Sequence, residues 1–564
     1  MNSSLKLLRD AKNGKGLPSA IFVAKEIITL DPTFPRARVI GVFGGRIVYL
    51  GDDLDEARKV LNKLLPQEEK PSFYQLGEKW VFPGFIDSHA HVIHEGMRLR
   101  QLDLFGKSYE EILDAIADKI KTMGPGDFIH GRGWDQNNFP QRKFPDLVDL
   151  DKVSPRNPVV LDRVDRHSIW VNSQALKLAG LGPQTPDPMG GEIYRSGDAL
   201  SGILVGRAMF YVYNKIPPWD GFPPLELFKV AEAELLSLGI TTVIDCGTRP
   251  DEWAFLKEAY QDGQLKIRYR AMIIVEPFPD ELLLNGPIAP QFHGKLALDG
   301  IKLFSDGSLG SWSAWLNAPY ADKPGHLGDH NYTFDFLQKI LTKAKERRLQ
   351  MGIHVIGDAA LAQALDAIAE VFSPRGAPLT APLNPDNWRL EHYQVVSPKL
   401  LKKTLDLGLV VSIQSVGLMT DLKMVAERLG PERTAFSYPW RKIVDGGGLL
   451  VNGSDCPIEP PNPFYGIYAA ITRKDLQGYP PEGFYPENAL TRAEALASYT
   501  TWSAQAAQAE VGSLVLGKYA DFIVLDQDLL TVPEAKIPQT QVLLTVVGGE
   551  VVYQAEGFSV EKCL

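Results

Sequence analysis

Two histidines, His89 and His91, stand two residues apart directly after the short run Pro83-Gly-Phe-Ile-Asp87. On an extended strand residues i and i+2 point to one side, so this pair can grip a single divalent ion through two imidazole nitrogens. Three further groups with metal-binding chemistry, His354, His392 and Asp455, each fall at or just beyond the end of another apolar, strand-like run. A lone histidine at a strand end is more often a hydrogen-bonded core or surface residue. One HxH pair in 564 residues is likewise unremarkable. Five such groups at strand ends are harder to dismiss, because in a parallel barrel those ends converge on one face, where active sites lie.

The elements that must position them alternate between strand-like and helical stretches. Candidate strands are Trp80–Asp87, Thr241–Asp245, Lys266–Val275, Gly300–Phe304, Gln350–His354, Trp388–His392, Leu409–Ile413 and Leu449–Asn452. Eight is the count a (β/α)8 TIM-like barrel needs, and the alternation with helices favours an α/β fold with a parallel sheet. The gap between Asp87 and Thr241 is several times a usual βα repeat. About 97–222 is therefore read as a large cap insertion over the barrel mouth. Its Pro- and Gly-rich segments, such as Gly124-Pro-Gly126 and Asp187-Pro-Met-Gly-Gly191, predict an irregular cap.

The two ends of the chain resemble each other. Each carries apolar runs around a Gly-Gly pair, Gly44-Gly45 and Gly548-Gly549, which read as hairpins. Neither end can bury a sheet alone, so one small β-sandwich built from both termini is expected. The domain boundaries are then 1–79 and 505–564 for the sandwich and 80–504 for the barrel.

The run Pro83-Gly-Phe-Ile-Asp-Ser-His-Ala-His91 resembles the opening metal motif of the amidohydrolase superfamily, and Gly512-Ser-Leu-Val-Leu-Gly-Lys-Tyr-Ala-Asp-Phe-Ile-Val-Leu-Asp526 resembles its closing signature. Three segments narrow the resemblance to the YtcJ-like branch, which includes N-substituted formamide deformylases. They are Gly300-Ile-Lys-Leu-Phe-Ser-Asp-Gly-Ser-Leu-Gly-Ser311, Gly352-Ile-His-Val-Ile-Gly-Asp358 and Asn452-Gly-Ser-Asp-Cys-Pro457. Gly131-Arg-Gly-Trp-Asp135 and Arg163 to Asn172 look like cap segments of that branch. The likeness runs from about Ala20 to Tyr553.

The resemblance implies one or two divalent ions, zinc first among them, with His89 and His91 on a more buried ion and His354 and His392 on a second. It also implies that Lys302 bridges the two after carboxylation by CO2, with catalytic roles for Lys302 and His392. A lysine ammonium cannot ligate a cation, whereas a carbamate presents anionic oxygens. The alternative for Lys302 is an uncarboxylated side chain that meets substrate or pairs with Asp306 over a single ion. Asp455 has the clearest catalytic assignment. A carboxylate there can ligate the metal, take a proton from a water whose pKa the metal lowers to about 7, and pass it to a leaving nitrogen. Asp87 either supports the metal ligands through hydrogen bonds or stabilises a turn. Trp134, Asp135, Arg163 and His167 in the cap, with Trp315 and Gln414 just past barrel strands, are candidates to meet substrate.

Composition bounds the rest. Hydrophobic residues make up 45% and charged residues 23%, as in a globular protein, and the length exceeds what one core usually organises. A net charge of −10 offers no basic stripe, so nucleic acid and anionic membranes are not expected partners. A small-molecule substrate is expected, and a homodimer would be unsurprising. Cys246, Cys456 and Cys563 lack any paired spacing, which argues against a disulfide framework and for a reducing compartment. With neither a signal-peptide h-region nor a membrane-length apolar run, a cytoplasmic setting is expected.

The expected activity is metal-dependent hydrolysis of a carbon–nitrogen bond other than a peptide bond, in an amide, N-acyl or N-formyl compound. The alternatives are ester hydrolysis or deamination at the same site, or a non-enzymatic binding or regulatory relative. The last is disfavoured because all six ligand positions are kept.

Overall fold

The computed structural model describes residues 17–66, 69–164, 168–188, 191–274, 286–373 and 384–563. It divides into two compact units, Met1–Val92 with Glu232–Leu564, and Ile93–Ala231.

In the first unit, eight parallel strands pair in chain order. They are β1 (Phe85–Ala90), β2 (Ile240–Thr248), β3 (Arg268–Ile274), β4 (Leu296–Phe304), β5 (Gln350–Val355), β6 (Arg389–His392), β7 (Val410–Ile413) and β8 (Leu450–Asn452). Strands of this kind are covered on both faces, and β1, β2, β6, β7 and β8 are buried at every position. The outer helices carry the matching apolar stripe. In Phe334–Arg347, Leu337, Ile340, Leu341 and Ala344 are buried, the Thr333 side chain caps the start, and left-handed Arg348 ends it. The result is a nearly closed barrel.

The seam between β8 and β1 closes without a full ladder. Ala90 pairs with Cys456 in an isolated parallel bridge. The His91 N–H donates to the Cys456 carbonyl at 3.0 Å, and the Asp455 N–H donates to the His89 carbonyl at 2.6 Å. Gly453 makes this approach possible, since a Cβ there would lie 2.4 Å from the His89 nitrogen.

The run 80–87, read above as one strand, is two strands in different sheets. Trp80–Pro83 pairs with Phe522–Leu525, and β1 starts only at Phe85. Gly84 is the joint, where a Cβ would meet the Thr241 hydroxyl at 2.2 Å. A run buried from Val81 onward keeps the same apolar pattern as it passes between sheets, so sequence pattern alone does not show the break.

Strands from both ends of the chain share one nine-stranded sheet, joined where Trp80–Pro83 meets Phe522–Leu525. Both Gly-Gly turns have positive φ at each glycine, 58° and 75° at Gly44 and Gly45, 55° and 76° at Gly548 and Gly549. That is what a two-residue hairpin turn matched to strand twist requires. Phe22, Ile40 and Val42 pack with Phe522, Val524 and Leu544 in one apolar core. The buried Arg268 guanidinium, at the start of β3, makes a two-pronged ion pair with Asp521 at 2.5 and 2.8 Å. This sheet is thereby tied to the N-terminal end of the barrel strands.

The second unit is more regular than the irregular cap expected over 97–222. Leu102–Asp103, Ile129–Trp134 and Val159–Arg163 run parallel, and Ser168–Val171, Ala199–Gly206 and Gly191–Ser196 continue the sheet antiparallel. Val159 and Leu161 face one core with Trp134 and Trp170, while Val160 and Ile169 face another with Leu204 and Met209. Many of the prolines and glycines that suggested irregularity sit in the connections between these elements. Among the described residues, no helix is long and apolar enough to cross a membrane.

Candidate metal centre

The site lies at the C-terminal ends of the barrel strands and is centred on the β8–β1 seam. His89 and His91 present their rings from β1 and the residue after it, with ring centroids 5.5 Å apart. Asp455 Oδ1 stands 3.1 Å from His91 Nε2 and 3.4 Å from His89 Nε2. One donor atom from each of His89, His91 and Asp455 lies within 4.8 Å of the others, the spread a single ion can bridge. His392 at the end of β6 places Nδ1 4.0 Å from Asp455 Oδ2, and its ring centroid lies 4.3 Å from that of His354 on β5. Lys302, buried on β4, points Nζ at His89 Nε2 over 3.1 Å. All six residues expected as ligands therefore converge.

Two of them sit in left-handed backbone, with φ 71° at His392 and 60° at Asp455. Such strain costs of order 1–3 kcal/mol per residue and persists only where the surroundings impose it. At His392 it has a geometric consequence. Neighbouring residues of a strand face opposite sides, yet both Glu391 and His392 reach the same cluster, and the left-handed turn breaks that alternation.

Glu391 and Arg389 were not singled out from the sequence. Glu391 Oε2 lies 2.6 Å from His89 Nδ1, and Arg389 binds both Glu391 oxygens, the Ser412 hydroxyl and the Ser88 carbonyl. The signal available was Arg389-Leu-Glu391, two opposite charges at i and i+2 in a strand otherwise fit for burial.

Electrostatics suit metal binding. Burial lowers the pKa of His89 to about 4 and of His354 to about 3, with Lys302 adding to both, and burial also holds His392 well below the ordinary histidine value. All three imidazoles are neutral at pH 7, the form that offers a lone pair to an ion. Burial opposes charge on Asp455, but its contacts with His89 and His91 keep it below the ordinary carboxylate range. Burial likewise opposes charge on Glu391, and Arg389 and then His89 hold it well below that range. Neutral ring nitrogens with one carboxylate are a donor set that fits a divalent ion such as zinc.

Asp87 acts on the backbone of the site. It accepts from the His89 N–H at 3.0 Å, the Ser454 N–H at 3.0 Å and the Ser454 hydroxyl at 2.6 Å, pinning β1 to the loop that carries Asp455. Asp306 spends its carboxylate on the N–H groups of Trp315, Ile356 and Gly357, at 3.0, 3.1 and 2.7 Å, and so shapes the loops after β4 and β5. Trp315 is held there by its backbone, with its ring 4.8 Å from His330. Gln414 directly follows β7, and its Nε2 is buried with no hydrogen-bond partner among the described residues.

Trp134 is a correction. It is fully buried in a core of the second unit and donates its indole N–H to the Leu161 carbonyl at 2.8 Å, so it packs rather than meeting a substrate. Its segment, Gly131 to Asp135, resembles a cap segment, and Trp134 itself ends the strand Ile129–Trp134. Asp135 and Arg163 pair with each other at 3.2 Å, and Arg163 also donates to the Gln136 side chain. His167 lies outside the described residues.

Comparison with known proteins gives the family. Residues 74–553 match the amidohydrolase family Amidohydro_3. The chain is similar to YtcJ of Bacillus subtilis (strain 168), 30% identical with 84% of this chain and 89% of that one covered. It is 25% identical to the N-substituted formamide deformylase of Arthrobacter pascens, covering 95% and 98%. A solved structure of an uncharacterized metal-dependent hydrolase from Pyrococcus horikoshii OT3 superposes with a TM-score of 0.75 at 27% identity, covering 92% of this chain and 99% of that one.

Proposed function

The chain belongs to the amidohydrolase family, and from that premise we propose that it is a metal-dependent hydrolase of carbon–nitrogen bonds in amide, N-acyl or N-formyl compounds. The observation that carries this reading is the meeting of His89, His91 and Asp455 at the barrel seam, with His354, His392 and Lys302 around them. His89, His91 and Asp455 would hold the ion. A second ion on His354 and His392, with a carbamate on Lys302, belongs to the same reading. When bound, zinc or a similar ion supplies Lewis acidity, which makes water a nucleophile near neutral pH and polarises a carbonyl oxygen.

The chain's own groups do the proton work. Asp455, with one oxygen toward His91 and the other toward His392, takes the proton of the attacking water and delivers it to the leaving nitrogen. The neutral imidazoles keep their lone pairs for the ion. Similarity to a formamide deformylase makes N-formyl amines the first class to test. The insertion, by its place in the chain between β1 and β2, is assigned the choice of substrate. Cys246 and Cys456 are buried and not joined to each other in a disulfide, in keeping with a reducing, cytoplasmic setting.

The test is to measure divalent metal in the purified protein and assay N-formyl and N-acyl amides before chelation, after it and after zinc is restored. The expected result is bound metal and activity that falls on chelation and returns with zinc. Protein that hydrolyses these amides without metal, or that holds metal and cleaves none of them, overturns the reading.

A further inference from the structure

We propose that Glu391, anchored by Arg389, is a positioning residue for the metal centre: it fixes which nitrogen of His89 faces the ion and sets negative charge behind that ring. The inference rests on the metal-dependent reading above and concerns residues outside its ligand set.

The geometry is specific. Glu391 is fully buried, and its Oε2 lies 2.6 Å from His89 Nδ1. Both Glu391 oxygens accept from Arg389, so the carboxylate is committed as an acceptor and Nδ1 must carry the hydrogen. The lone pair then resides on Nε2, the nitrogen that faces Asp455 at 3.4 Å and Lys302 at 3.1 Å. A ring flip would turn a C–H toward the carboxylate and lose the bond.

Arg389 grips the same strand. Its Nη2 donates to the carbonyl of Ser88, the residue before His89, and to Ser412 Oγ on β7 at 2.8 Å. Consecutive residues of β1 are thus held by the two members of one buried ion pair, Ser88 by its backbone and His89 by its ring. A buried pair of this kind is often no more stabilising than apolar residues of the same size. Its placement against a ligand therefore points to orientation as its role. A carboxylate behind a ligating histidine also raises the basicity of the ring.

A purely structural brace would make a different prediction, and the variants separate the two. Glu391→Asp keeps a counter-charge for Arg389 but draws the carboxylate back from the ring by one methylene. The double variant Arg389→Met with Glu391→Gln removes both charges, so no lone ion is left in the core. Co2+ alone is the probe, with affinity read by competition against a chelator and geometry by the visible absorption of bound Co2+. Thermal unfolding of the metal-free proteins reports the structural share. The expected result is Co2+ bound about 10–100-fold more weakly by both variants, with a changed spectrum, even where the metal-free variant melts like wild type. Wild-type affinity and spectrum in either folded variant overturns the proposal. Failure of wild-type protein to bind Co2+ overturns the metal-dependent reading and this inference with it.

Discussion

The Asp455 N–H donates to the carbonyl of His89 at 2.6 Å while the Asp455 carboxylate stands 3.4 Å from the ring of the same histidine. One residue thus closes the barrel seam with its backbone and joins the candidate metal centre with its side chain. The left-handed φ of 60° at Asp455 belongs to that double use.

Asp455→Asn keeps the backbone bond and an oxygen donor but loses the proton acceptor. Bound metal should stay near the wild-type level while kcat on the best amide substrate falls by about 10²–10⁴-fold. Steady-state kinetics with metal analysis of the same sample checks this, and unchanged kcat would remove Asp455 from the proton path.

Gly453→Ala probes the seam from the other side. A Cβ there would lie 2.4 Å from the His89 nitrogen and 2.7 Å from Asp87 Oδ1, so β1 and the Asp455 loop must separate. Overpacking of this kind costs about 1–3 kcal/mol. Calorimetry should show a lower Tm together with weaker metal retention during dialysis; loss of stability with intact retention would uncouple the seam from the site.

Asp521→Ala tests how the terminal sheet is held to the barrel. It takes the counter-charge from the buried Arg268 and also removes the acceptor for the Gly548 N–H at 2.8 Å. Breaking one half of a buried pair costs about 3–5 kcal/mol. The urea midpoint should fall accordingly, and a midpoint within error of wild type would contradict the burial seen at Arg268.

Trp134 distinguishes packing from recognition. Trp134→Ala should destabilise the second unit by about 3–5 kcal/mol, as loss of a core tryptophan does. Trp134→Phe should keep KM close to wild type. A large KM change in the Phe variant with unaltered stability would return this residue to the substrate.

The second unit should also respond to pH. Burial opposes charge on His130, but hydrogen bonds to Asp162 at 3.1 Å and Asp220 at 3.2 Å raise its pKa to about 9. An unfolded histidine titrates near 6.5. The stabilisation from protonated His130 is therefore complete below pH 6.5 and lost as pH rises through 9. Burial also opposes charge on Asp220, yet its bond to His130 leaves its pKa lowered, so its share is lost only in acid. Amide exchange in Ile129–Trp134, corrected for intrinsic rates, should speed up from pH 6.5 to 9. His130→Asn should flatten that profile, and an equal slope in the variant would disprove the assignment.

Spacing and residue type were enough to find the histidine pair, the strand ends that bear His354, His392 and Asp455, and the glycine pairs of the two hairpins. These are local facts: i and i+2 share a side of any strand, and a two-residue turn needs positive φ wherever it occurs. The partners across the barrel had no such local mark. That Glu391 and His392, neighbours on one strand, both reach the cluster depends on a left-handed backbone at His392 that no periodicity records. That Trp134 is core, and that 80–87 spans two sheets, depends on what packs against them from far along the chain. By itself the sequence determined the kinds of atoms brought to the candidate metal centre and the strands that carry them. Only the tertiary structure decided which nitrogen of His89 faces inward and which charges stand behind it, because those follow from burial and contacts between residues hundreds of positions apart.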